Sequence, residues 1–479
     1  MREVTKPRFG NATLALSCAI SLLFLTACAV KKPPSISQAI SSALPPSTTI
    51  PKDWTSPAES SAPVETAWLK SFNDPPMEAI VAEALKNNLD LQAAATRIPV
   101  VANVVTEVRS QMLPIIGVSA AASTTGMYDE KGGFLGKTRN PIKNSSRILG
   151  AASWELDIWG KIRSQTAAAR EGFAATRDDY QWARMSLAAV TAKLWYLATS
   201  VRILQSYAQN NVNISQQQLD IEIAQFNIGK AEQQQVDLAQ AVLAQNQAQL
   251  AQLTSSYLQI IRGLEVLLGR YPSAELKTAA ELAALPPPVP AGLPSQLLER
   301  RPDVMAAEHS FNAAFHLVQA AKAARLPSIS LTGGGGYETN ALLQDLRYEP
   351  WTWKFAGELL APIYTGGYLQ AQVQIANENQ KAALALYGQT ALQSFDDVEV
   401  TLTNERYLKD EEKDATDALR NFEDALALAK VKYNVGQTDL SPVLELEIVV
   451  MQTQMATTYV QQELIANRIN LYLALGGAF

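Results

Sequence analysis

The side chains best suited to chemistry in this chain are few: two histidines, two cysteines, a run of acids and a run of glycines. His309 and His316 stand seven residues apart on one helical face, too far for one metal ion, and no acid or cysteine sits beside them at ligand spacing. Asp410, Glu411, Glu412 and Asp414 fall in a long proline-free run, where such a cluster reads as a solvated helix surface. The glycines from Gly333 to Gly336 lack the Lys-Ser or Lys-Thr of a phosphate cradle and lie in a strand context. No nucleophile stands with a base. The residues therefore read as those of a non-enzyme with no metal and no cofactor.

One place for covalent chemistry remains. Arg2, Lys6 and Arg8 open a leader whose apolar stretch, residues 12–25, is too short to cross a membrane as a helix and fits an export signal. It ends in Leu25-Thr26-Ala27-Cys28, a lipobox pattern in which the cysteine thiol is acylated and becomes the first mature residue. Cys18 lies inside the leader, so the mature chain holds one cysteine and forms no internal disulfide. Ala29 follows the cysteine in place of the Asp that favours inner-membrane retention, which leaves the outer membrane as the destination. The formal charge of −6 becomes about −8 without the leader, and nothing basic enough for nucleic acid appears. Residues 31–63 are rich in Pro, Ser and Thr and read as an extended tether.

The elements beyond the tether come in two copies. Phe226-Asn227-Ile228-Gly229 recurs as Tyr433-Asn434-Val435-Gly436, 207 residues later. Ahead of the first copy, residues 161–227 contain no proline and predict about 100 Å of unbroken helix. After it, Val236, Leu243, Leu250, Tyr257 and Leu264 form a heptad seam, with Leu253, Ile260 and Leu267 interleaved. Val443, Val450, Thr457, Leu464 and Leu471 repeat that register, and the seams close at Leu268-Gly269 and Leu475-Gly476. The spacing predicts two long helical hairpins with tips at Gly229 and Gly436, where a left-handed helix end favours glycine.

Each copy also carries a helix that stops at a proline, Pro114 or Pro327, an offset of 213. In the first copy that helix runs unbroken from near Pro76 to residues 109–113. After each proline the period changes to two. Trp351, Trp353, Phe355, Gly357 and Leu359 alternate with Thr352, Lys354, Ala356 and Glu358, and Ile148 to Trp154 alternate likewise with Leu149 to Glu155. Earlier partners are residues 115–125 and 328–337. Segments of this length with one apolar face suit membrane β-strands, in which Trp154, Trp351, Trp353 and Phe355 face lipid. Four strands cannot close a barrel, so a membrane barrel built from them is shared among several chains.

Together these features resemble the TolC family of outer-membrane factors, in its lipoprotein branch (OprM-like, NodT-like) serving resistance-nodulation-division efflux pumps. The resemblance rests on Leu-Thr-Ala-Cys at 25–28, Trp154-Glu155-Leu156-Asp157-Ile158-Trp159-Gly160-Lys161 and Ala361-Pro362-Ile363-Tyr364-Thr365-Gly366-Gly367. It rests also on Leu298-Glu299-Arg300-Arg301-Pro302-Asp303-Val304, the two tips and Leu473-Ala474-Leu475-Gly476-Gly477. It implies a mainly α fold with a membrane β part: long helical hairpins forming an α-barrel, plus four strands per chain in a trimeric, twelve-stranded transmembrane barrel. The divisions are a signal peptide at 1–27, a lipid-anchored tether at 28–75, repeat one at 76–269, a connection at 270–296 and repeat two at 297–477.

The partners implied are two further copies of the chain, a periplasmic adaptor docking at Gly229 and Gly436, an inner-membrane transporter and outer-membrane lipid. At the periplasmic gate the resemblance points to Glu445 and Tyr433. The chain departs from the family at three gate positions, with Pro442 for a second acid, Thr438 for a basic residue and Gln235 for an Asp. Fewer ion pairs are then expected to hold the entrance. The function implied is an export duct for drugs and other small toxic compounds. A protein-secretion duct and a non-conducting, lipid-anchored coiled coil are the alternatives, and strand hairpins set between helices speak against the last.

Overall fold

The computed structural model describes residues 30–56, 68–126, 142–339 and 351–477. A short helix α1 (Ile36–Ala43) and a 3₁₀ turn (Trp68–Phe72) precede α2 (Pro75–Asn87), α3 (Leu89–Ser110), β1 (Ile115–Gly126) and β2 (Ile142–Leu156). Next come α4 (Lys161–Asn227) and α5 (Gln233–Leu267). The order then recurs as α6 (Pro294–Leu297), α7 (Pro302–Ala323), β3 (Ser328–Thr339), β4 (Trp351–Leu360), α8 (Tyr368–Asn434) and α9 (Leu440–Ala474). Lengths recur with it: 22 residues in α3 and α7, 12 in β1 and β3, 67 in α4 and α8, 35 in α5 and α9. Two copies of one plan make up the chain.

The bounds of α4 follow from its ends. Gly160 takes a φ of 76° just before it. The Asp157 carboxylate accepts hydrogen bonds from the Ile162 and Arg163 N–H groups at 3.0 and 2.8 Å, satisfying donors that the first turn leaves open. The expected single helix before Pro114 is instead two, α2 and α3. Asn88 stands between them in extended backbone (ψ 123°), its Oδ1 accepting from Leu91 N–H at 2.9 Å and its Nδ2 donating to the Leu267 carbonyl at 3.2 Å. A side chain that both caps the new helix and ties it to α5 outweighs the continuity of the apolar pattern.

By contacts the chain forms two units. One comprises residues up to 43 with 98–176 and 307–387, and the other comprises 44–97, 177–306 and 388 onward. The first unit holds all four strands, in one antiparallel sheet of order β1-β2-β3-β4. The second is helical. Its core gathers Trp68, Phe72, Met77 and Val81 against Trp195 and Tyr196 of α4, Leu264 of α5 and Ile469 and Tyr472 of α9. Trp68 stacks on Tyr472 with centroids 5.4 Å apart, and Phe72 meets both Tyr196 and Tyr472. Such aromatic pairs add about 0.5–1.5 kcal/mol each beyond their burial.

In the same unit the connection between repeats is held at both ends by charge. The buried Glu265 carboxylate accepts from the N–H groups of Ala274, Glu275 and Leu276 at 2.7 to 3.2 Å. The fully buried Arg468 donates to the Pro286 carbonyl at 2.7 Å and to that of Pro287, while Glu405 grips its other side. A buried charge with this many partners stabilises its surroundings only while the set stays complete.

The tether is less free than its composition suggests. Residues 36–43 form α1, and residues 54–56 are pinned to the helical unit. Trp54 Nε1 donates to the carbonyls of Ala291 and Gly292, and its ring meets Phe395 edge-on at 6.3 Å. Thr55 and Ser56 give their N–H groups to the two oxygens of Glu399 at 2.7 and 2.8 Å, and the Ser56 hydroxyl pairs with that of Thr403. Burial pushes the Glu399 carboxyl up, but the hydrogen bonds from Ser56 and Thr55 outweigh it and hold the group below its ordinary value. A depressed carboxylate contributes above its unfolded pKa and stops contributing as pH falls through the folded value. Exchange of the Thr55 and Ser56 amides, relative to intrinsic rates, should therefore rise as pH falls below the ordinary glutamate value and through the lower folded one. Glu399→Gln should raise it at neutral pH by about ten-fold. Unchanged protection in the variant would show that Glu399 does not hold the segment.

Candidate functional site: sheet faces and helical tips

In an antiparallel sheet, residues directly opposite each other share a face, so the register sorts every strand residue. Ile116 opposes Ala152, Val118 opposes Gly150, and Ala120 opposes Ile148. Ile148, Gly150 and Ala152 in turn oppose Tyr337, Gly335 and Gly333, which oppose Trp351, Trp353 and Phe355. Trp154 joins the same face opposite Leu331. That face is apolar from Ile116 to Phe355 and turns polar only toward the hairpin ends, at Thr124, Asn144, Ser146 and Thr339. Its large side chains are bare: Val118 is 79% exposed and Trp353 78%. The four aromatics expected to face lipid all lie on it. The Trp154 indole N–H is satisfied by the Met112 carbonyl at 2.9 Å, so a ring on an apolar face leaves no open donor.

The reverse face is polar and small. Arg147 opposes Glu338, Ser153 opposes Thr332, and Ser330 lies between Glu155 and Glu358. Lys354 opposes Gly334. The glycine run sits in β3 and lets neighbours close over the strand. A Cβ on Gly335 would lie 2.8 Å from the Trp351 ring, so the indole covers the strand only because no side chain stands there.

Both tips are built alike. At Gly229 the N–H donates to the Phe226 carbonyl at 2.9 Å and the Lys230 N–H to that of Gln225 at 2.8 Å. At Gly436 the same pair runs to Tyr433 and Lys432, again at 2.9 and 2.8 Å. Both glycines have φ of 71°, and this left-handed turn satisfies the last carbonyls of each helix. Nothing lies within 4 Å of a Cβ built on either, so backbone conformation alone requires glycine there and space beside each tip stays open. Apolar side chains surround the turns in solvent, Ile228 at 67% and Val435 at 64% exposure.

Tyr433 and Glu445 lie on the two sides of the second tip, Tyr433 near the end of α8 and Glu445 in the second turn of α9. Both are exposed, and neither side chain makes a hydrogen bond or ion pair among the described residues. The gate position of Gln235 is used locally: its side chain accepts from the Glu232 N–H at 2.8 Å and caps α5. Cys28 and the leader lie outside the described residues. His309 pairs with Glu171 at 2.7 Å. His316 is buried beside Phe315, and burial holds its pKa below the ordinary histidine value against the pull of Glu171.

Sequence reasoning missed several charged contacts. Arg301, part of the motif at 298–304, is buried and held by Asp303 and Asp397, each at 2.8 Å, with its guanidinium 4.8 Å from the Trp182 ring. Near the second tip, Lys430 of α8 pairs with Glu447 of α9 at 2.6 Å. An acid two residues from Glu445 was the only available hint, and a charge on a long helix carries no mark of its partner.

Comparison with known proteins agrees with this geometry. The family model described as "Outer membrane efflux protein" matches residues 80–270 and 293–477, one stretch in each repeat. The pyoverdine export outer membrane protein OpmQ of Pseudomonas putida is 29% identical over 95% of this chain and 96% of its own. The cation efflux system protein CusC of Escherichia coli K12 is 27% identical over 86% and 88%. The crystal structure of the Campylobacter jejuni CmeC outer membrane channel superposes with a TM-score of 0.83 at 22% identity, covering 94% of this chain and 95% of that one. With both repeats matched and the fold shared along nearly its whole length, the chain belongs to the outer membrane efflux protein family.

Proposed function

We propose that this chain is the outer-membrane channel of a tripartite efflux pump, a passive duct for small molecules whose energy comes from an inner-membrane transporter. The observation that carries the reading is the sheet: four strands, one face with a broad apolar and aromatic band, one mostly polar face and two open edges. In hydrocarbon every strand edge must be paired, and a transmembrane barrel needs at least about eight strands. Several copies therefore complete the barrel, and a homotrimer supplies twelve strands. The polar face then lines the lumen and the aromatic face meets lipid. Helices α4 and α8 carry the duct into the periplasm, where the Gly229 and Gly436 tips receive a periplasmic adaptor and Glu445, with Tyr433, lines the entrance. A lipid on Cys28 adds a second hold on the outer membrane. Relatives of similar identity are named for unlike cargoes, pyoverdine and cations, which supports a duct whose cargo is chosen upstream.

Purified in detergent, the mature chain should have the mass of three copies and conduct ions in planar bilayers. A monomer that conducts would overturn the shared barrel, and a trimer that does not conduct would overturn the duct. Mass spectrometry of the mature N-terminus should find a diacylglyceryl group on Cys28; a free thiol there would remove the anchor.

Threefold symmetry brings three Glu445 carboxylates around one axis, and such a ring favours cations and holds divalent ions. Glu445→Ala should weaken cation preference and reduce block by divalent cations in single-channel recordings. Selectivity and block equal to those of the native channel would place Glu445 away from the constriction.

A further inference from the structure

The two hairpins share length, turn and register but differ in what joins their arms. In the first, α4 and α5 meet through Val201, Leu204, Ala208 and Leu253, with Met455 of α9 in the same cluster, and one neutral pair joins the arms, Asn246 Nδ2 donating to Ser215 Oγ at 2.6 Å. In the second, polar pairs recur down the seam. Thr401 accepts at its carbonyl from Asn467 Nδ2 at 2.9 Å, and Glu405 grips Arg468. Nearer the tip, Gln454 Nε2 donates to Glu423 at 3.2 Å, and one heptad further along both arms Lys430 pairs with Glu447 at 2.6 Å. The matching positions of the first hairpin are Leu194 and Ile260, Ala198 and Ile261, Gln216 and Gln247, and Ile223 and Gln240. None of these couples can form an ion pair.

We propose that Lys430 and Glu447 are positioning residues for the channel entrance, fixing the register and rotation of α9 against α8 so that Glu445 is presented away from its own hairpin. The geometry is simple. Successive residues of an α-helix are turned by about 100°, so Glu445 lies about 200° around α9 from Glu447. With Glu447 turned to Lys430 on α8, Glu445 points to the opposite side, and it is exposed there. An exposed pair of this kind adds little to global stability. Its effect is local, at the end of a 67-residue arm, where a directional bond adds to the apolar seating of Val443, Leu444 and Val450 on the same side of α9. The second hairpin therefore keeps its acid aimed by an ion pair, while the first tip has no such constraint.

This inference rests on the duct reading, and its test includes a readout that does not need conduction. Lys430→Glu places two acids face to face, and the exchanged pair Lys430→Glu with Glu447→Lys restores opposite charges in the same place. By hydrogen exchange, amides at residues 440–450 should exchange about two- to five-fold faster in Lys430→Glu and return to native rates in the exchanged pair. Residues 233–243 of the first hairpin should not change. In bilayers Lys430→Glu should lose cation preference and divalent block toward the levels of Glu445→Ala, and the exchanged pair should recover both. If Lys430→Glu does not assemble as the native chain does, Lys430→Gln with Glu447→Gln takes its place, with the same expected loss. Native exchange in the variant, or a loss that the exchanged pair does not repair, would overturn the proposal. Absence of conductance in the native chain would count against the duct, and the exchange result would still decide the ion pair.

Discussion

An unpaired strand edge cannot be left in hydrocarbon, because each bare N–H or C=O there costs several kcal/mol with no water to replace its partner. Here the edges are β1 and β4, and both border a face whose Val118, Trp353 and Phe355 side chains are bare. Water favours the edges but not that face; lipid favours the face but not the edges. Only closure with further copies satisfies both. The helices inherit the arrangement, since α4 follows β2 within five residues and α8 follows β4 within eight. Asp157 caps the first of these joins, so the start of α4 is fixed within one turn of the sheet.

Duplication makes this economical and also limits it. One plan written twice yields matching strands, matching long helices and matching glycine turns. A helical duct that opens at one end, however, needs its two hairpins to behave differently. The difference sits in the seam and not in the backbone. Apolar knobs and one neutral hydrogen bond, Asn246 to Ser215, hold the first pair of arms without any ion pair among the described residues, and dispersion contacts are many and weakly directional. Arg468 with Glu405, and Lys430 with Glu447, hold the second pair through directional bonds that define one rotation.

Much of this was legible in the sequence because it is periodic. The 207-residue offset, the proline-free runs, the heptads and the period of two in residues 351–359 each leave a regular trace, and α4 begins and ends where glycine and the tip motif predicted. Contacts between distant residues leave none. Asn88 breaks a helix by reaching Leu267, Glu399 pins Thr55, and Arg301 finds Asp397, and in each case the partner lies about one hundred residues away or more. Glu445 is a third kind. Its residue type and spacing say only that an acid sits on a helix, and its proposed role comes from its place in the family.

The sheet's polar face bears on what such a duct could select. Among the described residues it carries Arg147 and Lys354 against Glu155, Glu338 and Glu358, separated mostly by serine, threonine, alanine and glycine, with Ile115, Leu149 and Leu360 as the large apolar exceptions. Arg147 stands opposite Glu338, and Glu155 is held by Lys161 at 2.5 Å, so much of this charge is answered locally. A wall of mixed charge and mostly small side chains sets up no strong field of one sign. It presents little for one cargo to bind better than another, and tight binding would in any case slow release from a conduit. Glu445 at the second tip is also exposed, and the proposed trimer would bring three copies of it together. If discrimination occurs in this chain, the proposed Glu445 ring is the place for it, and it would take the form of charge rather than shape.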